Sequence, residues 1–199
     1  MKTRKLTLMV IVLITLLASN VWAEKYAVLI TGDYAAEGIK SEEMWNAGEG
    51  KDPEYGFDEF WNDTYLMWEM LREKGYSDEN IFVLFAGGQD FQPLWMNDRY
   101  LVPENLAPMT DYAADLASVN NVLDGLGTGS GGFPQLQGDD FLFVWTFDHG
   151  GGGQDAYLCL MYGEHIWDYE FAALTDQINC QKKVFWMQQF IQLILILFS

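Results

Sequence analysis

The sequence predicts an α/β domain in which helices cover both faces of a mostly parallel sheet, a three-layer α/β/α arrangement. Apolar segments of strand length alternate with segments whose apolar residues recur at helical spacing, which is typical of parallel sheets with crossover helices. The strand segments are apolar throughout, as expected of strands buried on both faces. The chain has 199 residues, 50% of them hydrophobic, which suits one domain with a sizeable core.

The amino-terminal segment 1–23 is predicted to be a secretory signal peptide. Basic residues precede an apolar run over 6–18, and cleavage is expected after Ala23. An uncleaved membrane anchor is the alternative, but the run is shorter than the roughly 20 residues that span a bilayer. We therefore expect a secreted or periplasmic protein that is free of the membrane once the signal is removed. The rest divides into one domain over 24–189 and an apolar tail over 190–199.

The amino-terminal half of this domain predicts a strand, a helix and a second strand. The strand over 25–32 is stopped by glycine, and the second strand covers 80–88. Between them, apolar residues at spacings of three and four predict an amphipathic helix that ends at Gly75. Its buried stripe is expected to be Phe57, Phe60, Trp61, Thr64, Trp68 and Leu71.

The carboxyl-terminal half continues the alternation of helices and strands. The predicted elements are a helix from an N-cap at Ser118 to Gly127, strands over 139–147 and 156–161, a helix from Asp168 to Asn179, and a last strand over 182–189. The glycines at 127, 129 and 132 have the GxGxxG spacing, but they follow a helix and precede a strand. This is the reverse of the dinucleotide-binding context, so no such site is expected.

The charge and the scarcity of metal-ligating residues exclude several classes of function. The formal net charge of -18 argues against a nucleic-acid or anionic membrane partner, because phosphates require lysine and arginine. Two histidines and two cysteines are too few for a typical zinc site. The acidic stretch over 52–59 lacks the ordered spacing of a calcium-binding EF-hand loop. No cofactor and no metal ion are therefore expected.

The third predicted strand is followed directly by Asp148 and His149, and a run of glycines begins at Gly150. In parallel sheets, chemistry gathers at the carboxyl ends of the strands. A histidine beside exposed backbone N–H groups is half of an acyl-transfer site, because the imidazole moves the proton and the N–H groups stabilise an oxyanion. The nucleophile is expected at the carboxyl end of a neighbouring strand, most simply the last one, and therefore at position 190.

These segments resemble the caspase-like (clan CD) cysteine peptidases, and most of all their legumain-like branch. The matching pieces are 26–32, 80–84, 141–150 and 183–189. The resemblance implies a caspase-like fold and hydrolysis of a peptide or protein substrate through a thioester intermediate.

The resemblance also implies roles for individual residues. His149 would be the catalytic histidine, and the N–H group of Gly150 would help to form the oxyanion hole. Asp148 would match the acidic neighbour of the histidine in legumain-like proteins. Asp33, which follows the first strand, would lie near a residue that orients the histidine.

The chain departs from the family at the nucleophile. The family places cysteine followed by small residues where this sequence has Phe190 and then an apolar tail. The domain is therefore expected to be incomplete at its carboxyl terminus and inactive as printed. One explanation is a truncated or frameshifted tail, and the other is an inactive homologue that binds peptides. Cys159 is expected in the core, and Cys180 at the end of the sheet far from His149; a disulfide between them stays open.

Two further interpretations do not require catalysis. The first is a secreted protein on the same fold that binds peptides or sugars through tryptophan-rich loops at Trp45, Trp95 and Trp167. The second treats His149 as an ordinary core histidine. The four glycines that follow it argue against this interpretation, because a core histidine seldom precedes such a run at a strand end.

Overall fold

The computed structural model describes residues 23–32, 58–90, 108–152 and 155–189. The predicted α/β class is confirmed: a parallel four-stranded sheet carries helices on both sides, and a small antiparallel sheet is added to it. The elements are β1 (Lys25–Thr31), α1 (Asp58–Glu73), β2 (Ile81–Phe85), α2 (Leu116–Thr128), β3 (Phe141–Asp148), β4 (Gly150–Gly152), β5 (Ala156–Cys159), β6 (His165–Trp167), α3 (Asp168–Asp176) and β7 (Lys182–Gln189).

The main sheet has the strand order β2-β1-β3-β7, and all three pairings are parallel. The central strands β1 and β3 are buried along almost their whole length, which explains why their sequences are continuous apolar runs. β7 covers Lys182–Gln189, the range predicted from the sequence.

Helix α1 covers one face of the sheet. Its buried residues Phe60, Trp61, Trp68 and Leu71 pack against alternate residues of β1, β2 and β3, including Leu29. These four are part of the stripe predicted from the helical spacing; Phe57 lies outside the described residues. Side chains on the opposite face of the same strands form a separate hydrophobic core on the other side of the sheet.

Helices α2 and α3 cover the other face of the sheet. From α2, Val119, Val122, Leu123 and Leu126 are fully buried against this face, and Phe171 of α3 joins the same core. The three-layer arrangement is therefore present. The α2 boundaries differ from the prediction. Asp115 is the N-cap and accepts a hydrogen bond from the N–H of Ser118, while Gly129 ends the helix with a left-handed φ of 75°.

The segment predicted as a fourth strand of the main sheet belongs instead to a separate antiparallel sheet, ordered β4-β5-β6. The physical reason is the length of the connections. Parallel pairing needs a crossover of about a dozen residues or more, whereas three residues separate β4 from β5. The chain therefore turns back on itself directly after the candidate histidine, and β5 pairs with the glycine strand β4.

Candidate functional site

The carboxyl ends of β1, β3 and β7 lie side by side at one edge of the main sheet. β3 and β7 remain paired to their last residues, because Phe147 lies opposite Gln188 and Asp148 lies opposite Gln189. His149 follows directly after β3 and is half-buried. The edge that contains the histidine is therefore the edge at which the last strand ends.

The imidazole of His149 lies on the face of the sheet that α1 covers. Its ring contacts the ring of Phe60 edge-on, with 5.8 Å between the ring centroids. Phe60 also contacts Phe147, two residues before the histidine, at 5.3 Å. The first turn of α1 therefore forms one wall beside His149. The histidine borders the core, but it is half-buried at a strand end and not enclosed like a core residue.

Asp148 is fully buried, and the alternation of β3 directs its side chain to the opposite face from that of His149. One carboxylate oxygen accepts a hydrogen bond from the backbone N–H of His149. The other lies against Gly32, so closely that a Cβ atom at Gly32 would be 2.3 Å from it. Asp148 therefore holds the backbone of the histidine and leaves no room for a side chain at the end of β1.

Gly150 begins β4 and lies opposite Leu158 of β5. The N–H of Cys159 donates to the carbonyl oxygen of His149 at 3.0 Å. In an antiparallel ladder, hydrogen-bonded and non-hydrogen-bonded pairs alternate, so Gly150 and Leu158 form a non-hydrogen-bonded pair. The N–H of Gly150 consequently points away from β5 and takes no part in the β4–β5 ladder.

The end of β1 is fixed to α1 by two buried hydroxyl groups, which sequence reasoning did not single out as a pair. The hydroxyl oxygens of Thr31 and Thr64 lie 2.9 Å apart, and the Thr64 hydroxyl donates to the carbonyl oxygen of Phe60 at 2.7 Å. Because Thr64 has one hydroxyl proton, Thr31 is the donor between the two threonines. This chain of hydrogen bonds connects the carboxyl edge to the turn that carries Phe60.

Both cysteines are free thiols. Cys159 was expected in the core, and this is wrong. Its neighbour Leu158 faces the core, so Cys159 lies on the other face of the small sheet and is half-buried. Burial, followed by the nearby carboxylate of Asp148, raises the pKa of Cys159 to about 11. A thiol with that pKa stays protonated at neutral pH, so Cys159 is a poor nucleophile.

Cys180 precedes β7, and its thiol lies near the carbonyl oxygen of Lys182. It therefore lies at the amino end of the strand, as the sequence predicted. Burial raises its pKa as well.

Of the five residues singled out from the sequence, the structure describes three, Asp148, His149 and Gly150, which are consecutive in the chain. Asp33 and Phe190 lie outside the described residues, as do the segment 1–22 and the tail. The helical spacing predicts that Phe60 is buried, but it does not predict the contact with His149, because the two residues are distant in sequence.

No protein-family model matches this chain, and no curated protein does. The domain is a mixed α/β domain with a four-stranded parallel sheet. Over the described ranges, no helix combines the length and the apolar character needed to cross a bilayer. Nor do three or more potential metal ligands come together in this part of the chain.

Proposed function

We propose that this chain is the catalytic domain of an exported, caspase-like cysteine endopeptidase of the legumain type, and that the printed sequence binds peptides without hydrolysing them because it lacks the nucleophile. The observation that carries the proposal is the pairing of β3 with β7. The two strands are parallel neighbours, and their last residues, Asp148 and Gln189, lie opposite each other.

The register supports the position of the missing nucleophile. One further residue on each strand would place position 190 beside His149, at the ~4.8 Å spacing of adjacent strands. Paired residues of adjacent strands share a face, so a side chain at position 190 would be directed to the same side as the imidazole. A cysteine there would be a cross-strand neighbour of the imidazole, as a nucleophile–base pair requires.

The chemistry follows from these positions. With cysteine at position 190, His149 would accept the thiol proton while the sulfur attacks the peptide carbonyl carbon. The N–H of Gly150 would donate to the oxyanion, and the imidazolium would return its proton to the leaving amine as the thioester forms. Water activated by the same imidazole would then hydrolyse the thioester. Phe190 has no group that can carry out the first step.

The test is to measure the acidity of a thiol placed at position 190. We would make Phe190→Cys in a chain that also carries Cys159→Ser and Cys180→Ser, and follow alkylation against pH. A thiol beside His149 should ionise below its ordinary pKa of about 8.5. Adding His149→Ala should return the midpoint to the ordinary range. Hydrolysis of a peptide library by the Phe190→Cys chain is the accompanying activity assay.

Trp186→Cys in the same background is the matched control. Trp186 is 51% exposed on β7 and pairs with Trp145, so a thiol there lies on the same strand but away from the histidine. Its alkylation should not respond to His149→Ala. If the thiol at position 190 is equally insensitive to His149→Ala, the two positions are not neighbours and the peptidase assignment fails.

A non-catalytic protein that binds peptides or sugars on the same fold is the second candidate. The presence of Phe190 in the printed chain favours it. Trp45 and Trp95 lie outside the described residues, whereas Trp167 is half-exposed on the small sheet. Peptide binding that persists while the Phe190→Cys chain shows no hydrolysis and no His149-dependent thiol acidity would select this candidate.

A further inference from the structure

The small sheet has one face in the core and one aromatic face outside it. Leu158 and Ile166 are buried. On the outer face, the rings of Tyr157, His165 and Trp167 contact one another, with centroid separations of 5.0–5.2 Å. Tyr169, at the start of α3, stacks on Trp167 with 9° between the ring planes and is 58% exposed. We call these four residues the aromatic surface: Tyr157, His165, Trp167 and Tyr169.

Three carboxylates lie near the Tyr169 end of the aromatic surface. Desolvation, followed by the negative charges of Glu170, Asp155 and Asp168, raises the pKa of the Tyr169 hydroxyl. The sequence from 100 to 181 contains no lysine and no arginine, so this part of the chain supplies no cation of its own. The aromatic surface therefore combines ring faces, which carry partial negative charge, with formal negative charge at their edge.

The aromatic surface is in direct contact with the strand β4, which follows the candidate histidine. A Cβ atom at Gly151 would lie 2.3 Å from the hydroxyl oxygen of Tyr157 and 2.5 Å from its ring carbon Cζ. The Tyr157 side chain therefore occupies the space beside Gly151, two residues after His149. Across the small sheet, Gly151, Tyr157 and Trp167 form one row.

We propose that the aromatic surface binds a lysine or arginine side chain of a peptide that extends toward His149. A cation above these rings is attracted both by the ring faces and by the carboxylates near Tyr169. The identification of this peptide as a substrate rests on the proposed function. The binding itself does not, because it requires no nucleophile.

The test compares fluorescently labelled hexapeptides by anisotropy, using the full chain. A peptide with two lysines should bind more tightly than the same peptide with norleucine, and its affinity should fall with rising salt. Trp167→Leu should weaken binding of the lysine peptide by roughly tenfold. Trp186→Leu is the matched control, because Trp186 is also exposed but lies on the main sheet.

Two milder variants keep the test meaningful if Trp167→Leu destabilises the domain. Tyr169→Leu changes an exposed side chain. It should weaken binding of the lysine peptide about threefold, the size of effect expected for an exposed cation–π contact. Glu170→Gln keeps an oxygen that can accept the hydrogen bond from the N–H of Trp167, now 3.0 Å long, but removes the charge. Glu170→Gln should weaken binding of the lysine peptide and leave the affinity for the norleucine peptide unchanged.

Three results would overturn the proposal. They are equal binding of the lysine and norleucine peptides, equal effects of Trp167→Leu and Trp186→Leu, and binding of a neutral oligosaccharide that depends on Trp167 in place of peptide binding. None of them affects thiol acidity at position 190. Conversely, loss of the His149 effect on that thiol leaves lysine binding at the aromatic surface intact, so the two proposals fail separately.

Discussion

Gly32→Ala should destabilise the domain by about 2–3 kcal/mol, because the end of β1 has no space for a methyl group. The new Cβ atom would lie 2.9 Å from the carbonyl oxygen of Cys159 and 2.9 Å from Cα of Leu160, and closer still to the carboxylate of Asp148. Ordinary van der Waals contact begins at 3.4 Å, so two backbone segments must separate by about half an ångström and the carboxylate must move further. Overpacking of this kind costs about 1–3 kcal/mol, and displacing a buried, hydrogen-bonded carboxylate adds to it.

The measurement is urea unfolding followed by tryptophan fluorescence, with Gly138→Ala as the control. Gly138 is exposed, and nothing lies within 4 Å of a Cβ atom built there. The control should stay within about 0.5 kcal/mol of the parent. With a urea slope of about 2 kcal/mol/M, Gly32→Ala should lower the urea midpoint by about 1–1.5 M. Equal urea midpoints for the two variants would contradict the close approach of Asp148 and of the backbone at 159–160 to Gly32.

Two further predictions concern buried polar groups near the same edge. Thr64→Val should cost about 1–3 kcal/mol because it leaves the buried Thr31 hydroxyl without its acceptor, and adding Thr31→Val should recover part of that loss in a double-mutant cycle. Burial and the Asp148 carboxylate raise the pKa of Cys159 to about 11, whereas the unfolded thiol ionises near 8.5. The folded state therefore loses stability as pH rises from about 8.5 to about 11, and Cys159→Ser should remove this part of the pH dependence. A midpoint near pH 8.5 for alkylation of Cys159 in the folded chain would contradict the assigned environment.

The sequence by itself determined the elements whose apolar pattern is periodic and local. Strand β7 begins and ends where its apolar run does, and the buried face of α1 follows the spacing of its aromatic residues. It also placed Asp148, His149 and Gly150 at or directly after the carboxyl end of β3, because the apolar run of this strand stops at Phe147.

Only the tertiary structure decided which elements are neighbours. The strand order makes β3 and β7 adjacent, and a short connection removes β5 from the main sheet. The approach of Asp148 to Gly32 and the gathering of Tyr157, Trp167 and Tyr169 into one surface also depend on pairing between segments that are distant along the chain. Local propensity has no information about such pairing, since the energy that selects it comes from burial and hydrogen bonds formed after the chain has folded back on itself.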